Sequence, residues 1–243
     1  MIAAVTQLAA GGPVIPNFGR GDPCVVRNGG FCTKWFFDNF SSRFLPRVVE
    51  HIELSAIAVG VGSVIAVTAA IIAYRWRPFE TPFSLFSALL YTIPSLAFFE
   101  IMVQITGINR FTAELALVSY TLLILFRNTL TGLQGVPRPA IEAANAMGLT
   151  ARQRLWRVEL PLALPAMMAG LRIATVTIIS LTTVAAFIGV GGLGEPIFNA
   201  IQTGFKTQFI AAGVLAILLA LIADVLLVLL QRALTPWTRA RRS

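Results

Sequence analysis

Charged residues are scarce in this chain of 243 residues: Asp, Glu, Lys and Arg make up 12% of it, against 56% hydrophobic residues. Soluble domains carry about 25% charged residues, so the composition excludes an ordinary soluble domain. Lys and Arg outnumber Asp and Glu by 19 to 11, which gives a net charge of +8. So few charges cannot gather on one face. We therefore interpret the excess as the basic bias of membrane-protein loops and predict no nucleic-acid partner.

Cysteine and histidine are almost absent. Two cysteines, Cys24 and Cys32, cannot complete a four-ligand zinc site alone, so no metal centre is predicted. A disulfide between them and a pair of free thiols both remain open from spacing alone. The single histidine, His51, lies at the edge of an apolar run, and we interpret it as an interfacial residue.

Recognisable nucleotide-binding motifs are missing as well. The phosphate-binding pattern G-x-x-x-x-G-K-[ST] occurs nowhere, so this chain is expected to bind no ATP. Residues 189–194 match G-x-G-x-x-G, but they follow an apolar helix and not a strand, so we predict a flexible turn instead. No nucleophile–base pair and no cluster of metal ligands is recognisable, which argues against a membrane-bound enzyme and predicts no catalytic residue.

Long apolar runs are what the chain has in abundance. A helix of about 20 apolar residues crosses a bilayer. In lipid the backbone groups find hydrogen-bond partners only within the helix itself. Five segments qualify: Ile52–Tyr74, Pro82–Thr106, Phe111–Leu130, Ala166–Ile188 and Phe209–Leu230. The sequence predicts an all-α integral membrane protein with about five transmembrane helices, the second kinked at Pro94.

Basic residues predict the orientation of these spans. They crowd the segments after the first and third spans and the C-terminal tail, which are therefore predicted to be cytoplasmic with the N-terminus outside. The members of this group are Arg75, Arg77, Arg138, Arg152, Arg154, Arg157, Arg232, Arg239, Arg241 and Arg242. The N-terminal tail carries its own basic cluster, which conflicts with this rule: Arg20, Arg27, Lys34, Arg43 and Arg47.

Three regions follow from this. Residues 1–50 are predicted as an extracytoplasmic tail, residues 51–237 as the transmembrane domain, and residues 238–243 as a basic cytoplasmic tail. Four phenylalanines in the first region recur at roughly helical spacing. They fit either an interfacial helix or packing against the first span: Phe36, Phe37, Phe40 and Phe44.

The polar segment 137–165 cannot lie in lipid, because it combines four arginines with two carboxylates. Pro139 suits the first turn of a helix, and Gly148 suits its end. Thr150 can cap a second helix, Ala151–Glu159, which Pro161 is expected to limit. The segment is predicted to form a helix–turn–helix on the cytoplasmic side.

Its residues resemble the EAA loop of bacterial ABC-importer permeases. That pattern runs E-A-A, three residues, G, nine residues, an aliphatic residue, one further residue and L-P. Glu142, Ala143, Ala144, Gly148, Val158, Leu160 and Pro161 fill every fixed position. Flanking words at 92–97, 127–129, 158–162 and 186–194 resemble the branch for osmoprotectants such as glycine betaine, choline and carnitine. The resemblance covers roughly residues 50–237.

The resemblance implies a type I importer permease of the bacterial inner membrane that works by alternating access. The first helix of the loop would dock on a separate ATPase, which holds ATP and Mg²⁺. Glu142 would anchor it, Ala143 and Ala144 would permit close packing, and Gly148 would set the angle to the next helix. Arg154, Leu160 and Pro161 complete the predicted coupling residues. An ordinary amphipathic loop is the alternative.

Further partners are implied in the same way: a second permease subunit, identical or paralogous, and an extracytoplasmic substrate-binding protein. The same fold could instead carry an amino acid. The predicted outer gate or docking surface for the binding protein consists of four glycines: Gly189, Gly191, Gly192 and Gly194.

Polar residues inside the spans are candidates for a translocation pathway. Glu100 could attract a cation, or it could pair with Gln104. Asp224 is predicted to make a helix–helix hydrogen bond. Hydroxyls in the fourth span could line a conduit or bond between helices. The predicted pathway residues are Pro94, Ser95, Glu100, Thr175, Thr182 and Thr183.

Overall fold

The computed structural model describes residues 22–238; residues 1–21 of the predicted tail, and the predicted basic tail beyond Thr238, lie outside the described residues. Within the described range the α-helices are α1 (Pro23–Val26), α2 (Thr33–Asn39), α3 (Leu45–Arg75), α4 (Glu80–Thr92), α5 (Ser95–Thr106), α6 (Arg110–Gln134), α7 (Arg138–Ala146), α8 (Ala151–Arg154), α9 (Leu160–Ala185), α10 (Gly194–Thr203) and α11 (Lys206–Leu234). π-Helical turns at Phe40–Phe44 and Leu155–Glu159 join α2 to α3 and α8 to α9. The predicted all-α fold is confirmed.

The predicted spans are present, with one qualification. Four continuous helices are long and apolar enough to cross a membrane: Thr33–Arg75, Arg110–Gln134, Ala151–Ile188 and Lys206–Leu234. The fifth is a pair of helices, Arg77–Thr92 and Ser95–Thr106, bent by 101°. Each continuous helix is longer than the apolar run that predicted it, because polar residues at the ends extend the helix beyond the bilayer core.

The kink predicted at Pro94 is a complete break. Ile93 is extended, with ψ at 128°, and Pro94 stands just before α5 as its cap residue. The Tyr120 hydroxyl on α6 donates a hydrogen bond of 2.6 Å to the Ile93 carbonyl oxygen. A phenol on a neighbouring helix thus replaces a backbone partner that the broken helix cannot supply.

The prediction that Pro161 limits the second helix of segment 137–165 is wrong. Pro161 lies in the first turn of α9, and the helix continues from Ala151 through Pro165 to Ile188. The preceding π turn, Leu155–Glu159, loosens the hydrogen-bond ladder where the proline lacks its N–H. The segment therefore contains one separate helix, α7, and the beginning of a span.

The core lies where α3, α6 and α9 pack against one another. Small side chains line these contacts and let the backbones approach closely, as in many membrane helix pairs. A Cβ added at Gly62 would overlap the Thr121 side chain, and one at Gly170 would overlap Asn128. Fully buried alanines occur along all three helices: Ala58, Ala66, Ala70, Ala116 and Ala174.

The two ends of the bundle differ. The motif end carries α7 and α8, and the cap end carries α10 and residues 22–44, here called the N-terminal cap. A disulfide joins Cys24 to Cys32 within the cap. Trp35 meets the ring of Phe205 edge-on at 4.7 Å between centroids. The cap thus packs onto the beginning of α11.

The four phenylalanines of this region do not pack as predicted against the first span; those that are buried pack within the cap and against the beginning of α11. Phe44 is 1% exposed and lies in the cap's apolar core, whereas Phe37 is 72% exposed. Phe36 and Phe40 are partly buried against the same core. Packing therefore accounts for three of the four rings, and Phe37 alone presents a full face outward.

Candidate functional site

Helix α7 presents a small surface at the motif end. Glu142 and Ala143 are exposed, while Ala144 is fully buried against the protein. The helix ends as predicted at Gly148, whose φ of +73° few other residues adopt without strain. Leu149 then donates its N–H to the Ala144 carbonyl oxygen at 3.2 Å. One face of α7 is held by the protein, and the face with Glu142 and Ala143 is available to a partner.

Arg154 ties α7 to the beginning of α9. Its Nε donates to Glu159 Oε1 at 2.7 Å, and its Nη1 donates to Asn145 Oδ1 at 2.6 Å. The Glu159 side chain is 1% exposed, so its charge depends on the guanidinium for compensation. We call these three residues the arginine clamp. The clamp therefore connects the C-terminal end of α7 to the beginning of α9.

The π turn explains how the clamp forms. Arg154 and Glu159 are five residues apart, whereas side chains on an ordinary α-helix meet at three or four. The π-helical turn Leu155–Glu159 bonds residues five apart and brings the two side chains together. Sequence reasoning included Arg154 among the coupling residues but missed Asn145 and Glu159, because their pairing follows neither regular spacing.

Two further contacts fasten this region to the bundle. Arg75, at the end of α3, donates to the Ala151 carbonyl oxygen at 2.6 Å. Leu133 of α6, Leu155 and Ala163 form a buried apolar cluster. Leu160 and Pro161 are half-buried in the first turn of α9. The predicted coupling residues thus lie together at the motif end, connected to three spans.

The glycine turn at the cap end is packed, so the flexible turn predicted there is wrong. Gly191, Gly192 and Gly194 are buried, and only Gly189 is exposed. A Cβ at Gly191 would overlap the Glu50 carboxylate. Gly192 donates its N–H to Glu50 Oε2 at 2.9 Å. Three of the four glycines offer no surface to a binding protein, since their role is close packing.

His51 is fully buried, which corrects its interpretation as an interfacial residue. Its Nδ1 accepts a hydrogen bond from the Leu193 N–H at 3.2 Å, and its Nε2 lies 2.9 Å from the Ile179 carbonyl oxygen. A carbonyl only accepts, so Nε2 carries the proton and the ring is neutral. His51 therefore joins α3 to α9 and to the glycine turn.

An ionic bridge completes the cap end. Arg47 donates from one nitrogen to Glu50 Oε2 at 2.9 Å and contacts Glu195 of α10 at 2.6 Å through the other. Together with His51 and the glycine turn, these residues form what we call the cap-end latch. The signal in the sequence, an R-x-x-E-H run far from the glycines, does not reveal this contact.

The predicted pathway residues do not meet in one site. Thr182 is buried and shares a hydrogen bond of 3.1 Å with Ser55 of α3. Thr175 and Thr183 donate to carbonyl oxygens within α9 itself. These hydroxyls are satisfied inside the helix or between helices, which favours the hydrogen-bonding alternative over a conduit.

The remaining candidates lie at the broken span. Pro94 and Glu100 are exposed and Ser95 is half-buried. Glu100 and Gln104 are both exposed, and among the described hydrogen bonds none joins them. Thr175 instead lines an apolar cavity of about 500 Å³ between α3, α9 and α11. Pro94, Ser95 and Glu100 at the broken span therefore have different neighbours from Thr175, which lies between α3, α9 and α11.

Asp224 makes the predicted helix–helix contact. Arg172 of α9, which sequence reasoning missed, donates to its two oxygens at 2.8 and 2.9 Å. The buried residues of α11 all lie at its beginning: Thr207, Gln208, Ala211 and Ala212. This bidentate pair consequently anchors the far half of α11 to the bundle. Within residues 22–238, no three His, Cys, Asp or Glu side chains are placed to hold a metal ion.

Comparison with known proteins finds one matching family and several similar permeases. Residues 58–239 match the profile of the family described as binding-protein-dependent transport system inner membrane component. The choline transport system permease protein OpuBB of Bacillus subtilis is 34% identical over 202 residues, covering 83% of this chain and 93% of that protein. The osmoprotectant import permease protein OsmW of Salmonella typhimurium is 38% identical over 192 residues, covering 77% and 89%.

A solved structure shares the fold. A chain of the MetNI methionine ABC transporter, in an inward-facing conformation, aligns with a TM-score of 0.70 at 23% identity. The alignment covers 79% of this chain and 96% of that one. The chain belongs to the family of inner membrane components of binding-protein-dependent transport systems.

Proposed function

We propose that this chain is the permease subunit of an ATP-driven importer for osmoprotectants such as glycine betaine, choline or carnitine. The observation that carries the proposal is the pairing of an exposed α7 surface with the arginine clamp behind it. The substrate class is supported by relatives named for choline, carnitine and glycine betaine transport, at 33–34% identity over 83% of this chain.

Coupling begins at α7. A partner ATPase, which binds ATP and Mg²⁺, receives α7 in a groove; Glu142 accepts charge-assisted hydrogen bonds there, and Ala143 allows close approach. The clamp passes the resulting movement to α9. That helix is continuous from Ala151 to Ile188, roughly 55 Å at 1.5 Å per residue, and ends at the glycine turn. A push at one end of the bundle thus reaches the cap-end latch.

Alternating access requires two copies of this architecture. A second permease subunit, identical or paralogous, supplies the other wall of the pathway. A binding protein delivers the solute at the cap end, which lies outside, as does the N-terminus. The motif end and the C-terminus are cytoplasmic. The basic residues at the motif end support this orientation, and a disulfide in the cap fits an oxidising compartment.

Reconstitution tests the function directly. The tagged chain, purified with its ATPase and placed in proteoliposomes with its binding protein, should hydrolyse ATP faster when glycine betaine, choline or carnitine is added. Stimulation by an amino acid instead would keep the importer and change its substrate. Recovery of no ATPase under conditions that preserve membrane complexes would overturn the proposal.

A further inference from the structure

The apolar cavity that Thr175 lines has a volume of about 500 Å³ and lies between three membrane-spanning helices. Helix α9 forms its floor, because it packs against both α3 and α11, and these two helices form the walls. We call this cavity the α3–α11 groove. The residues that line it all fall within the predicted spans Ile52–Tyr74, Ala166–Ile188 and Phe209–Leu230. The groove therefore lies at the depth of the bilayer's hydrocarbon, where a soluble partner does not reach.

The polar atoms of the groove already have their hydrogen bonds. Ser55 shares a bond of 3.1 Å with the Thr182 hydroxyl. Ser63 and Thr175 each donate to the carbonyl oxygen four residues earlier in their own helix, at 2.6 and 2.8 Å. The other described residues along the groove are aliphatic side chains and one glycine. The lining thus favours an apolar occupant over a charged solute.

The dimensions of the groove match one hydrocarbon chain. Along α3 it extends from Ile52 to Ser63, about 17 Å at 1.5 Å per residue. The hydrocarbon core of a bilayer is about 30 Å thick, so the acyl chains of one leaflet extend about 15 Å. A volume of about 500 Å³ over the length of the groove gives a mean cross-section of roughly 30 Å². A helix about 10 Å wide needs roughly 80 Å², so a helix of a second permease cannot enter.

Small residues on both walls keep the groove wide. Gly60 is exposed on α3, and a Cβ added there would meet no atom of the described residues within 4 Å. Ala56 and Ala223 lie on opposite walls. Gly62, only two residues further along α3, packs against Thr121 instead. Small residues in membrane helices usually let another helix approach, as Gly62 does, whereas Gly60 leaves room for something thinner.

We propose that the α3–α11 groove binds the acyl chain of a membrane phospholipid. The acyl chain contacts all three helices at once and so gains dispersion contacts that an open helix face does not provide. It fills the space between α3 and the far half of α11, which Arg172 and Asp224 anchor to α9. Only the spans build this site, so the lipid is independent of the imported solute and of the ATPase.

Photolabelling tests the assignment. The full chain with its ATPase is placed in nanodiscs of phosphatidylglycerol, part of which carries a diazirine midway along a palmitoyl chain, and the labelled residues are mapped by mass spectrometry after irradiation. We expect Ala223 and Leu227 in the groove to carry about fivefold more label than Ile217 and Leu221, which are exposed elsewhere on α11, since three walls hold the chain instead of one. Equal labelling would indicate ordinary surrounding lipid, and protection of the groove would indicate a covering protein; either result would overturn the proposal.

Two glycine substitutions form a matched pair. Gly60→Phe places a ring in the groove, and the label on Leu227 should fall to the level of Leu221. Gly213→Phe adds the same ring to α11 at a position that also has no described atom within 4 Å of an added Cβ, and it should leave the groove label unchanged. If Gly60→Phe does not assemble, Ala223→Leu narrows the groove from the opposite wall and should lower the label in the same direction. Groove label that persists in every assembled groove variant would refute the site.

Discussion

An arginine bridges two side chains at each end of the bundle, Glu159 and Asn145 at the motif end and Glu50 and Glu195 at the cap end, but the two ends are assembled from different distances along the chain. At the motif end, Arg154 reaches residues five and nine positions away. At the cap end, Glu50 and His51 reach partners more than 120 positions away. The comparison shows that the arginine clamp at the motif end is built from nearby residues, whereas the cap-end latch exists only in the folded bundle.

Charge reversal at Glu142 should have the largest effect. Glu142→Lys places a cation at the proposed contact between α7 and the ATPase, and import should fall about 30-fold or more, since residues at the centre of an interface commonly contribute at this scale. The exposed side chain supports no internal contact, so membrane insertion should be unchanged. Uptake in proteoliposomes and recovery of the inserted chain measure the two effects. Arg152→Gln, an exposed change on the same segment, is the matched control; normal ATP-driven uptake by Glu142→Lys would refute the position of the coupling surface.

We expect the second-largest effect on transport from breaking the arginine clamp. Arg154→Ala leaves the Glu159 carboxylate buried without compensation, and the free energy of unfolding should drop by about 3 kcal/mol. Solute moved per ATP should drop about tenfold, because α7 can then move without α9. Arg154→Lys can still neutralise Glu159 and should recover part of the coupling. An unchanged transport-to-hydrolysis ratio in Arg154→Ala would show that the clamp does not transmit movement.

The cap-end latch should tolerate added volume poorly at one glycine and well at another. Gly191→Val forces a side chain into the Glu50 carboxylate and should lower the free energy of unfolding by about 2–3 kcal/mol. In Gly189→Ala the added Cβ would lie 3.8 Å from its nearest neighbour. This change should lower the free energy of unfolding by about 1 kcal/mol, because of the φ of +77° alone. Thermal unfolding of the two variants in detergent measures the difference. Equal losses would mean that the glycine turn is not packed against α3.

Removal of the disulfide should have the smallest effect on transport. The bond closes a loop of only eight positions, and the cap is also held by Trp35 and by the Cys32 N–H, which donates to Thr207 Oγ1 at 2.9 Å. The Cys24→Ser, Cys32→Ser double variant should lower the free energy of unfolding of the cap by about 2 kcal/mol and change uptake by less than about twofold. Limited proteolysis between residues 22 and 44 reports the loosening. A large loss of uptake would assign the cap a direct part in import.

Much of the motif end could be predicted because its signals are local. Gly148 ends α7 through its own backbone freedom, and the E-A-A run needs only neighbouring residues to form a helix with one exposed face. Glu159 escaped prediction even there. Its burial depends on a π turn and on α3 and α6 packing around α9, none of which its immediate neighbours encode.

The amino-acid sequence by itself determined the all-α membrane class, the approximate spans and the α7 surface, because hydrophobic length, helix-ending glycine and exposed polarity act within one segment. Only the tertiary structure decided that Pro94 breaks a span, that Pro161 does not, and that His51 is a buried neutral link. Two of these depend on partners from other elements, namely the Tyr120 hydroxyl for the Ile93 carbonyl oxygen and the Leu193 N–H and Ile179 carbonyl oxygen for His51. A buried polar group can be understood only when the group that satisfies it is known, and that group is brought there by folding.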